Sequence, residues 1–204
     1  MAEIWVVHGD QLPPPRVGYD LTIWDTAELA SETQMRTWAG WAETRLLAGT
    51  PAGDLAGFDP RPDLWPGTDF ALGGGKIWRF NHRFVAWLTP SLYQIPEVPR
   101  ALALAGVELM MGSRSASGAD PALDPLWRAV QANQVFGLAL GEQPVLYLPC
   151  EIDPTQEGTM PLDPEPGGWR TTIRFEELDD ARRLLPVLPG LRMPLYRANG
   201  WWRP

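Results

Sequence analysis

Lysine and thiol chemistry in this 204-residue chain is confined to single positions. Of seventeen basic residues one is Lys76 and the rest are arginines, and there is one cysteine, Cys150. Any lysine amine must be Lys76, and any thiolate, disulfide partner or sulfur metal ligand must be Cys150. An internal disulfide is excluded. With two histidines, His8 and His82, beside one thiol, a zinc site of the Cys/His type lacks ligands, and neither metal nor cofactor is expected. Leu146, Leu148 and Ile152 around Cys150 mark a packed, inert thiol. Lys76 reads as a solvated residue at a hairpin edge, and His82 as a solvated turn histidine.

Other polar groupings carry weaker chemistry. Gly73-Gly74-Gly75 lacks P-loop spacing and precedes a strand, not a helix. Arg114 between Ser113 and Ser115 could hold an anion at the end of a strand, where α/β sites lie, or simply sit in a solvated loop. Asp179 and Asp180 beside Arg182 and Arg183 read as the charged outer face of a helix.

The elements that must position these groups are short and alternate. The length favours one domain over residues 1–204, able to bury roughly 70% of its unfolded surface. A net charge of −8 without a basic run argues against nucleic acid or an anionic membrane as partner. The apolar stretches are too short to span a bilayer, and a cytoplasmic protein is expected. Eleven tryptophans are expected mostly in the core.

Residues 4–8 and 21–24 read as strands around a proline loop. Ser31 with Gln34 predicts a capping box and a helix to about Leu47, closed by Gly49. The Gly-, Pro- and Asp-rich segment 50–75 predicts a long loop. Residues 76–80 and 83–88 predict a hairpin around Asn81-His82. Pro96 and Glu97 open a helix that stops at Gly106, and residues 107–111 form a buried strand. Asp124 and Pro125 open another helix, to about Gln134. Strands at 135–140, 145–152 and 169–175 follow, then a helix over 176–185 ended by Pro186. This order fits an α/β sandwich of two mixed sheets flanked by helices.

From residue 95 onward the chain resembles the nitrilase (carbon–nitrogen hydrolase) superfamily. IPEVPRALALAGVELMM at 95–111 is similar to the helix and strand that follow the family's nucleophile. WRAVQANQVFG at 127–137, CEIDP at 150–154 and FEELDDARRLLPVLPGLRMPLY at 175–196 resemble later blocks in the same order. Towards the N-terminus, Asp20-Leu21-Thr22-Ile23-Trp24 looks like the strand that leads to the family's glutamate. The resemblance implies one nitrilase-like α-β-β-α sandwich over residues 1–204. About a dozen residues separate the first two strands, too few for the family's first helix, which is expected to be missing.

The resemblance also implies acyl transfer by a Cys-Glu-Lys triad: a thiolate nucleophile, a carboxylate base and an ammonium for the oxyanion. Position by position the triad is absent. The nucleophile falls on Pro90, the glutamate on Thr26, and the stretch where the lysine belongs contains none. The expected protein is therefore a catalytically inactive binding or assembly protein with a remnant pocket near Thr26, Thr89, Pro90, Ser91, Ser113 and Arg114. The alternative is an active amidohydrolase with a relocated nucleophile, Ser91 or Thr89, and Glu28 as base. A homodimer or larger homo-oligomer is expected, with a small-molecule ligand in the remnant pocket and the apolar Trp201-Trp202 tail as an assembly element.

Overall fold

A computed structural model describes residues 1–60, 68–69, 75–80, 82–114, 124–149, 152 and 158–184. Two sheets stack face to face. The first runs β12 (Asp163–Glu165), β13 (Gly168–Ile173), β1 (Ala2–His8), β2 (Leu21–Asp25), β3 (Arg45–Gly49) and β4 (Leu55–Phe58). The second runs β11 (Thr159–Pro161), β10 (Val145–Tyr147), β9 (Phe136–Leu140), β8 (Val107–Ser113), β7 (Arg83–Leu88), β6 (Gly75–Phe80) and β5 (Thr68–Asp69). Within each sheet three neighbouring strands are parallel, β1-β2-β3 and β7-β8-β9, and the outer strands are antiparallel. Helix α1 (Glu32–Ala42) packs on the outside of the first sheet. Helices α2 (Pro90–Tyr93), α3 (Glu97–Leu104) and α4 (Pro125–Asn133) cover the second, and α5 (Phe175–Leu184) follows β13.

Period-two alternation explains the layers. In β1, Ile4 and Val6 enter the core between the sheets while Trp5 and Val7 face α1; in β2, Leu21 and Ile23 turn inward and Trp24 outward. In β8, Leu109 and Met111 turn inward and Met110 faces the helices. Such continuous apolar strands belong to parallel sheets buried on both faces. Phe175 of α5 closes the core edge-on against Phe136, at 5.8 Å between ring centroids. At the start of β3, Arg45 is paired with Asp59 at 2.8 Å and lies over the Phe80 ring of the other sheet.

The expected α/β sandwich of two mixed sheets flanked by helices is therefore found, and residues 9–20, between β1 and β2, hold no helix. Several boundaries move. The helix expected to reach Leu47 forms with its capping box, then stops at Ala42, where Glu43 turns left-handed at φ 53°. Residues 45–49, read as its last turns, form β3 instead, fully buried between β2 and β4. The loop expected over 50–75 contains β4, paired antiparallel with β3. The strand expected over 145–152 ends at Tyr147, and Cys150 lies outside the described residues, as do Ser115, Asn81 and the Trp201-Trp202 tail. His82 takes φ 68° in the tight turn between β6 and β7. No helix among the described residues is long and apolar enough to cross a membrane.

Candidate functional site

The carboxyl ends of the parallel strands of both sheets meet at one rim, the place where α/β sheets bind ligands. Continuing the inward alternation by one step puts His8 after Val6, Asp25 after Ile23, Ser113 after Met111 and Leu140 after Leu138. His8, Asp25, Ser113 and Leu140 line a cavity of about 530 Å³ with Pro51, Arg114, Gly141, Glu142 and Gln143. Asp25 stands at its inner end, with a side chain only 4% exposed. His8 Nδ1 lies 3.0 Å from Asp25 Oδ2, and Ser113 donates its hydroxyl to Asp25 Oδ1 at 3.4 Å. Burial pushes the Asp25 carboxyl above the usual carboxylate range; His8 and, more weakly, Ser113 pull it back without cancelling the effect.

The backbone around this group is tied down. Gly9 N–H donates to the Asp25 carbonyl at 3.1 Å, and Trp24 Nε1 to the Gly9 carbonyl at 2.8 Å. Arg114 N–H donates to the Leu140 carbonyl at 2.8 Å, and the Tyr93 hydroxyl to the Ser113 carbonyl at 2.5 Å. Ser113 and His8 are thus held by neighbouring strands, not by mobile loops. The three groups form a chain with the carboxylate in the middle. A serine–histidine–acid triad needs the imidazole in the middle, accepting from the serine, so this order does not make one.

The positions singled out from the sequence separate in space. Ser113 and Arg114 line the cavity; Thr26, Thr89, Pro90 and Ser91 are not among its lining residues. Thr26 is buried, and its hydroxyl is spent locally, donating to the Glu28 carbonyl at 2.9 Å and accepting from Glu28 N–H at 3.3 Å. Glu28 itself is exposed. Pro90 is the first residue of α2, where a missing N–H costs nothing. Thr89 precedes it, half-buried, and its hydroxyl meets that of exposed Ser91 at 3.0 Å. Among the described residues no His, Asp or Glu hydrogen-bonds either hydroxyl.

Lys76 departs from the solvated edge expected of it. It is half-buried, on the inward register of Trp78 and Phe80, and Nζ reaches the Leu55 carbonyl on the opposite sheet at 3.5 Å. Close by, the Trp87 indole packs where a side chain at Gly49 would stand, next to Leu55. Between Gly49 and the strand that leads to Pro90, the inter-sheet space is therefore filled by tryptophan. Among the described residues no three His, Cys, Asp or Glu side chains are grouped to hold a metal.

Asp25 and His8 are not among the site residues expected from the sequence: the strand expected over 4–8 merely ends at His8, and the one expected over 21–24 stops one residue short of Asp25. The signal was present: each is a polar residue at the next inward position of an alternating apolar run, where burial demands a partner.

The same arrangement of layers and strands is found in solved amidases of the nitrilase superfamily, and the resemblance read from the sequence is borne out at the level of fold. No family model matches the sequence, and no curated protein matches it. Among solved structures, the NitN amidase from Nesterenkonia sp. AN1 superposes with a TM-score of 0.58 at 13% identity, covering 97% of this chain and 99% of that one. A variant of the amidase from Nesterenkonia sp. AN1, carrying the acetamide moiety of fluoroacetamide on its active-site cysteine, gives 0.59 at 13% identity over 97% and 96%. The carbon–nitrogen hydrolase from Helicobacter pylori G27 gives 0.55 at 10% identity, over 96% and 97%. At these identities the likeness is one of fold.

Proposed function

We propose that this chain is a nitrilase-fold protein that does not hydrolyse carbon–nitrogen bonds and instead binds a small molecule in the cavity at the strand ends. The observation that carries the reading is the state of the nucleophile turn. The residue matching the family's cysteine is Pro90, and the hydroxyls flanking it hydrogen-bond each other at 3.0 Å. A serine or threonine nucleophile needs a base to take its proton, and Glu28, the base considered from the sequence, is exposed with no hydrogen bond to either hydroxyl among the described residues. The glutamate position, Thr26, has its hydroxyl consumed within its own turn. Beside this, the carboxyl-end cavity holds a buried carboxylate hydrogen-bonded to His8 and Ser113, a ligand-binding inventory without a nucleophile and base in sequence. Assembly as a homodimer or larger homo-oligomer in the cytoplasm belongs to the same proposal.

The test is direct. Purified protein incubated with amides, nitriles and carbamoyl amino acids should release no ammonia above the buffer rate. Turnover that disappears in Ser91→Ala would overturn the reading and make the chain an amidohydrolase with a relocated nucleophile.

A further inference from the structure

The cavity at the strand ends holds a buried carboxyl group, Asp25, without a permanent counter-charge against it among the described residues. Asp25 carries two oxygens with about four acceptor directions, and two hydrogen-bond donors reach them, His8 Nδ1 at 3.0 Å and the Ser113 hydroxyl at 3.4 Å, the second a long bond. An imidazole is not a permanent cation. The arginine that lines the cavity acts elsewhere: the charge of Arg114 bears on the Tyr147 hydroxyl, a side chain packed towards the helices. Among the described residues, the groups that favour ionised Asp25 are His8 and Ser113, and burial outweighs them. At the outer part of the cavity Glu142 is exposed and adds a second negative charge, while exposed Pro51 offers apolar wall.

From this geometry we propose that the cavity takes a small organic cation, a primary ammonium on a short alkyl chain, with its N–H groups on the Asp25 carboxylate and the chain along Pro51. The proposal rests on the binding-protein reading above and names the ligand class for it. A carboxylate buried this deeply gains most from a partner of full positive charge. A neutral amide would leave the charge uncompensated, and an anion would be repelled by Asp25 and Glu142. A metal ion is not favoured by the donor set, because the described acids and imidazoles do not gather in threes. The cavity, about 530 Å³, is of a size that suits small ligands.

Isothermal titration of the intact protein with propylammonium and with butane-1,4-diammonium, against propionamide and propionate, tests the ligand class. The ammonium ligands should bind, with propionamide and propionate weaker by about tenfold or more. Asp25→Asn should lose ammonium binding by a similar factor, and Ser91→Ala should bind as the parent does. Equal binding of propionamide, or undiminished ammonium binding by folded Asp25→Asn, would overturn the proposal. Should Asp25→Asn fail to fold, the parent protein decides the matter by NMR: propylammonium should move the ring resonances of His8 and leave those of His82 in place. Movement of neither ring, or of both equally, overturns it. Turnover of an amide would overturn the non-hydrolytic reading, and the ammonium titration would still decide what Asp25 binds.

Discussion

Asp25 sits where a carboxylate is costly to ionise, and the cost has a sign that can be measured. Burial raises its pKa more than His8 and Ser113 lower it, so the folded chain holds the proton more tightly than the unfolded chain does. The penalty is absent below the unfolded pKa, grows as pH rises towards the folded one and is complete above it. Asp25→Asn removes the titration. Its stability relative to the parent should therefore climb as pH rises above about 4, the unfolded carboxylate value, and level off once the raised folded pKa is passed, read from urea midpoints; a difference that does not change with pH would remove the claim. Gly49 makes a different residue-scale demand. A Cβ there would overlap the Trp87 indole and stand 2.7 Å from Leu55 Cδ2, so Gly49→Ala should cost about 1–3 kcal/mol, seen as a lower urea midpoint with an unchanged slope.

At the scale of elements, α1 shows how one local signal decided a start and a tertiary demand decided an end. Its capping box, Ser31 with Gln34, is a matter of four consecutive residues and forms as expected. Its end is set by β3, because five buried residues paired on both sides satisfy more backbone and bury more apolar surface than another turn and a half of helix would. The chain reverses at Glu43, an exposed residue held at φ 53°. Glycine adopts that conformation without a Cβ penalty, so Glu43→Gly should raise stability by about 0.5–1 kcal/mol, measured by thermal or urea unfolding. No gain would mean that the Glu43 side chain stabilises the turn in compensation.

Across the whole molecule, α5 is bound to the second sheet by a charged cluster at the amino ends of β7 and β8. Arg83 donates to Glu108 at 2.8 Å and to both Asp179 oxygens at 3.1 and 3.4 Å, and Arg182 reaches the Gln134 carbonyl at 3.0 Å. Glu108 is buried, and its carboxyl is pushed up by burial more than the two arginines hold it down. Removing Arg83 alone should therefore be worse than removing the pair. Arg83→Met is expected to cost about 2–3 kcal/mol, and Arg83→Met with Glu108→Gln appreciably less. Lowering the pH should narrow the gap between the two variants as Glu108 takes up its proton. Equal stabilities at all pH values would show that solvent already screens the cluster.

The sequence by itself was enough for the layers, most of the helix starts and the hairpin at His82, because each depends on residues adjacent in the chain or on one repeating period. Two things were decided only by the tertiary structure. One is β3, where the same leucines satisfy helical and strand spacing and the neighbouring strands settle the choice. The other is the site itself. His8, Asp25 and Ser113 come from three strands, and Asp25 and Ser113 are 88 positions apart. What joins them is the stacking of two sheets with their carboxyl ends at one rim, a contact that no local pattern encodes.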